Sequence, residues 1–189
     1  MGVMMFARKI GQAIDRHYLK KAGAMGIPGS NQQLLLFCLH SYAGKERISL
    51  EGGTVIEPGD SVAELHLSNI RITQIAAEPS EKTMEWRLMG LLKAEFSALA
   101  EACVAGKISD QVKAFYGVNV LVAGARRLGF TLVPIPKGWN RLWLGFWESL
   151  LRLVYYSFKT KKKAALQRTM DPFEVWISRP ELIRRYYKE

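Results

Sequence analysis

Glu64, His66 and Asn69 fall in the run ELHLSN and are the most concentrated set of side chains in the chain that could do acid–base work. On a strand, residues two apart share a face because successive side chains alternate. Glu64 and His66 would then stand side by side, able to take and return a proton as a general acid/base pair. Asn69 would close the run as an orienting group. The competing reading is an internal polar pair that does no more than fix strand register.

Other constellations carry less. Cys38 and His40 are two apart and could pair a thiol with a base. Their flanks are apolar, which raises a thiol pKa and disfavours the reactive thiolate, so a packed cysteine is expected. The histidines are His17, His40 and His66, with no two close in sequence. A metal site would have to be gathered from His40, His66 and Glu64 across neighbouring strands, and none is expected. No cofactor is expected either, since Gly52-Gly53 and Gly124 lack the spacing of a phosphate-binding loop. The basic residues are not interleaved with aromatics on a sheet, so no specific nucleic acid is expected as partner.

A second kind of chemistry is binding at an interface. Trp139, Leu142, Trp143, Phe146, Leu150, Leu153 and Val154 give a wide apolar face at helical spacing, and Lys159, Lys161, Lys162 and Lys163 follow it. Tryptophan favours the headgroup region of a bilayer, and lysine is drawn to anionic lipid. Trp139, Trp143, Trp147 and the four lysines are therefore the candidate membrane-binding set. A buried core helix would show the same apolar face. Charge supports an anionic partner: from Lys137 onwards there are 12 Lys/Arg against 5 Asp/Glu, so this segment carries +7 of the net +10.

These side chains need a scaffold. At 189 residues, 49% apolar and 23% charged, the chain is long enough for one domain with its own core. An amphipathic helix is expected over residues 6–22, ended by Gly23, Gly26 and Pro28. Leu34 to Tyr42 is nearly continuous apolar sequence and suits a strand covered on both faces. Glu46 to Leu50 is expected to return as its hairpin partner. After the turn Glu57-Pro58-Gly59-Asp60, with Pro at i+1 and Gly at i+2, the Glu64 strand completes a β-meander over 34–72. Ile70 to Ile75 reads as further strand or loop.

The spacing of Leu88, Leu92, Phe96, Leu99 and Cys103 predicts a core helix over 82–105, with Trp86 and Met89 packed. A helix from Asn119 to Leu128, strands at Phe130 to Ile135 and Phe173 to Ser178, and a closing helix opened by Pro180 follow. The sum is an α+β fold with a mainly antiparallel sheet flanked by helices. Cys38 and Cys103 lack the CxxC spacing and read as buried free thiols, one structural disulfide being the alternative. The first residues, MGVMMFARKIGQ, lack the apolar run of a signal peptide. No charge-free stretch is long enough to span a bilayer. A cytoplasmic protein, peripheral on the inner membrane face, is the expectation.

Two stretches resemble the YkoP-like domain: GGTVIEPGDSVAELHLSN from Gly52 to Asn69 and KAFYGVNVLVAGARRLGF from Lys113 to Phe130. This small bacterial domain stands alone or follows a polysaccharide deacetylase domain. The resemblance implies a place near enzymes of cell-envelope polysaccharide or glycolipid metabolism, and supplies no catalytic residues. The deacetylase chemistry itself needs paired His and Asp motifs, which would belong to a separate partner. Two functions follow as expectations: a non-catalytic accessory domain on the membrane surface, or an enzyme using Glu64, His66 and Asn69 on a lipid-linked or sugar substrate.

Overall fold

The computed structural model describes residues 20–119, 122–135 and 173–188. The Trp139 to Lys163 segment and almost all of the helix expected over 6–22 lie outside the described residues.

A six-stranded sheet is the frame, in the order β1 (Met25–Gly26), β2 (Leu35–Ser41), β5 (Ser61–Leu67), β6 (Ala114–Asn119), β8 (Phe173–Ser178), β7 (Thr131–Pro134). Its pairs are antiparallel except β5 with β6, which run parallel. A parallel pair needs a crossover. Here it consists of α1 (Asn69–Ala77) and α2 (Met84–Val104).

The crossover covers one face of the sheet. Phe37, Ala63, Phe115, Val175 and Ile177 from the strands meet Phe96, Leu99 and Cys103 of α2 and Leu182 of α4 (Arg179–Tyr186) in one buried cluster. Gly117 permits the close approach of β6 to β5, since a Cβ there would stand 3.0 Å from the Leu65 carbonyl oxygen.

The strand at 46–50 differs from the expected meander. Ile48–Ser49 (β3) pairs with Val55–Ile56 (β4) in a separate two-stranded sheet, and β2 pairs directly with β5 from Leu35↔Leu67 to Ser41↔Ser61. The cause is burial. Ile48, Leu50 and Ile56 close over Val62, Ala114 and Trp176 on the sheet's other face, so the small hairpin is a cover and not an insert. Gly52 and Gly53, at φ 88° and 83°, make its turn.

Residues 69–77 are helix, not strand or loop. Ser68 caps α1, its hydroxyl accepting from the Arg71 amide, and Ile72 and Ile75 bury against Leu34 and Leu88. Residues 114–119 are strand, so the helix expected from Asn119 is confined to α3 (Val122–Arg127). Trp86 is also corrected: it lies off the buried stripe of α2, 68% exposed, with the Lys82 ammonium 5.1 Å above its ring. Cys38 and Cys103 are free and buried on opposite faces of the sheet, which removes the disulfide alternative, and burial pushes both thiols up.

Helix α4 begins at a Ser178 cap with Pro180 in its first turn. Glu181 in that turn takes hydrogen bonds from Arg184 at 2.6 and 2.8 Å and from Arg185. The Arg184 bond is the main cause that pulls its carboxyl down to about 2. A carboxyl lowered on folding stabilises the fold above its unfolded pKa, and that contribution is lost as pH falls through the folded value. Thermal midpoints of wild type and Glu181→Gln, measured from pH 5 towards about pH 2, should therefore converge as the acid limb is descended. Parallel curves would show that this pair contributes nothing.

Candidate functional site

The turn Glu57-Pro58-Gly59-Asp60 sets the register of the site. Gly59 takes φ 91°, as the turn requires. The Asp60 carboxylate accepts the Glu57 amide at 2.7 Å and meets the Lys113 ammonium at 2.7 Å. The hydrogen bond from Lys113, then that from the Glu57 amide, hold this carboxyl below its usual range. Lys113 also donates its backbone amide to the Ser61 carbonyl at 2.9 Å, which starts β6 alongside β5. Glu64 is thereby placed next to Tyr116, and on its other side next to Cys38. The two stretches Gly52 to Asn69 and Lys113 to Phe130 thus meet as a parallel strand pair.

The sheet face opposite α2 then gathers a polar group from three strands. Glu64 lies 3.4 Å from His66 Nε2 and 4.0 Å from His40 Nε2. The Tyr116 hydroxyl is 3.0 Å from His40 Nε2, and His40 Nδ1 is 3.0 Å from the Ser41 carbonyl. A carbonyl can only accept, so in the neutral ring Nδ1 carries the proton and Nε2 accepts from Tyr116. Tyr116 is itself held by the buried Trp176, stacked at 4.3 Å and 12° between planes. Trp176 donates its indole N–H to Glu174 at 2.9 Å. The cluster is partly open, with side-chain exposure of 36% at His40, 21% at Glu64 and 20% at His66, although the His66 Nε2 atom that faces Glu64 is buried.

A family model for the YkoP domain matches residues 5–186. The chain belongs to the YkoP domain family. No curated protein and no solved structure matches it.

In this YkoP-family chain, Glu64 and His66 are brought together, as their spacing predicts. Asn69 is the first residue of α1 and is buried, its carbonyl accepting the Thr73 hydroxyl at 2.8 Å. Trp139, Trp143, Trp147, Lys159, Lys161, Lys162 and Lys163 lie outside the described residues. Tyr116 and Glu174 were not singled out by sequence reasoning. Tyr116 lies within the second family-like stretch, so the signal was present. Nothing local marks Glu174, because its neighbours come from distant strands. Among the described residues no group of three His, Cys, Asp or Glu side chains could hold a metal ion. None of the described helices is long and apolar enough to cross a membrane.

Proposed function

We propose that this YkoP-family protein is an accessory domain of bacterial cell-envelope polysaccharide or glycolipid metabolism. It holds a sugar-containing ligand at the His40, Glu64, His66 and Tyr116 face and works beside a separate polysaccharide-modifying enzyme. The observation that supports this reading is the Glu64 carboxylate, 3.4 Å from one imidazole and 4.0 Å from another on a face still open to solvent. A carboxylate, two imidazoles and a phenol are a mixed set of donors and acceptors, which suits the hydroxyls of a sugar. Chitotetraose, a soluble stand-in for an N-acetylated wall polymer, is the probe. Binding in titration calorimetry is the expected result, and silence at millimolar sugar would contradict the reading.

A second reading is favoured by the same short Glu64 to His66 distance. That pair is placed for general acid/base work on a bound lipid-linked or sugar substrate. The two readings part on the fate of the probe: an accessory domain returns chitotetraose unchanged, whereas an enzyme returns products that Glu64→Gln no longer forms.

Membrane contact is the other part of the proposal and rests on the basic, Trp-rich sequence from Trp139 to Lys163. Flotation on phosphatidylglycerol vesicles at low salt is expected. It should fade towards 1 M salt, where the Debye length falls to about 3 Å. Neutral vesicles should leave the protein in solution, as should replacing Lys159, Lys161, Lys162 and Lys163 by Ala. Failure to float on anionic vesicles at low salt would remove the membrane from the account.

A further inference from the structure

The sheet register carries the site one strand further than the His40, Glu64, His66 and Tyr116 cluster. Tyr116 pairs with Glu64 on β5 and with Trp176 on β8. Two residues on, Val118 pairs with Glu174. Continued by two residues, the parallel register of β5 and β6 puts His66 beside Val118. All of these side chains point to the face opposite α2, since positions two apart on a strand share a face. Glu174 and the Glu64/His66 pair therefore stand on either side of β6. Their separation is roughly 9.6 Å, two interstrand spacings of about 4.8 Å.

The β3–β4 cover packs on Val62, Ala114 and Trp176 and reaches Tyr116 and Val133, whereas Val118 lies outside that cluster. Tyr116, Val118 and Glu174 are only half-buried. Glu174 is held in place by the Trp176 indole N–H at 2.9 Å.

We propose that Glu174 is the second carboxyl of the site, facing Glu64 and His66 across a floor of Tyr116 and Val118, and that the sugar ligand lies in the cleft between them. This inference rests on the sugar-binding reading above and adds its opposite wall. Among the described residues, the titratable groups that act on or feel Glu174 are Glu64 and Tyr42. Burial pushes the Glu174 carboxyl up, the Trp176 hydrogen bond opposes this, and the Glu64 charge adds to the rise. The cleft thus offers acceptors on the Glu64 wall and, on the β8 wall, a carboxyl that keeps its proton to a higher pH than usual. Its donated hydrogen bond would be lost as pH rises through that titration.

Two measurements on the full chain decide this. The first is a side-chain carboxyl NMR titration of wild type and Glu64→Gln. Glu174 should titrate at lower pH once the Glu64 charge is gone, and an unmoved midpoint overturns the proposal because the two carboxyls then share no site. The second is chitotetraose binding by Glu174→Gln, which keeps an oxygen for Trp176. Affinity should fall about tenfold with the thermal midpoint unchanged; binding equal to wild type overturns the proposal. If wild type itself ignores chitotetraose, the sugar-binding reading fails, and the carboxyl titration still decides whether Glu174 and Glu64 face one another.

Discussion

Replacing Glu95 with Ala is expected to lower stability by about 3–5 kcal/mol, a large share of the roughly 5–15 kcal/mol that holds a domain together. Glu95 lies on α2 and is fully buried, with one carboxyl oxygen accepting the backbone amides of Leu34 at 2.6 Å and Leu35 at 3.1 Å. Neither amide is taken up by β1, which pairs with Leu36 and Phe37. Leu34 and Leu35 are buried too, so water cannot take the place of the carboxyl. Each stranded amide costs about 1–3 kcal/mol, and the missing side chain leaves a cavity besides. The thermal midpoint should drop by roughly 6–20 °C, at about 2–4 °C per kcal/mol for a chain of this size. Glu95→Gln retains an acceptor and should lose less than half as much. A Glu95→Ala midpoint within a few degrees of wild type would mean that α2 and β2 are not joined as described.

Replacing Glu64 with Gln should have the largest effect on binding and little on folding. The side chain keeps its shape but exchanges one acceptor oxygen for a donor and loses the charge between His40 and His66. Hydrogen bonds to a charged group contribute about 1.5–3 kcal/mol, so chitotetraose affinity should fall roughly tenfold to a hundredfold. Because Glu64 is partly exposed, the thermal midpoint should move little. Equal affinity in wild type and Glu64→Gln would show that the carboxylate is not part of the binding site.

What could be read from the sequence was whatever depends on neighbours in the chain. The Pro58-Gly59 turn, the apolar stripe of α2, the β5 alternation that pairs Glu64 with His66 and the Pro180 entry to α4 are all local. Helix α1 was missed because Ile70, Ile72, Thr73 and Ile75 read as β-branched strand. The Ser68 cap and the three-residue step from Ile72 to Ile75 were the contrary signals. The partners of β2 could not be read locally, since the 46–50 segment follows it closely and yet folds away over the other sheet face. The same limit hid part of the site. Tyr116 reaches Glu64 through a parallel pairing set by Lys113 and Asp60, and Glu174 reaches the face through β8, at the far end of the chain. Glu95 carried a clearer mark, a carboxyl inside the apolar stripe of a core helix, which calls for a buried partner.

The most direct test of a ligand site on this face is an NMR titration of the wild-type protein with chitotetraose, following the ring signals of His40, His66 and Tyr116. These signals should move together and saturate, and Glu64→Gln should suppress the movement. Ring signals that stay in place at millimolar sugar, or that shift equally in Glu64→Gln, would contradict a ligand site on this face of the sheet.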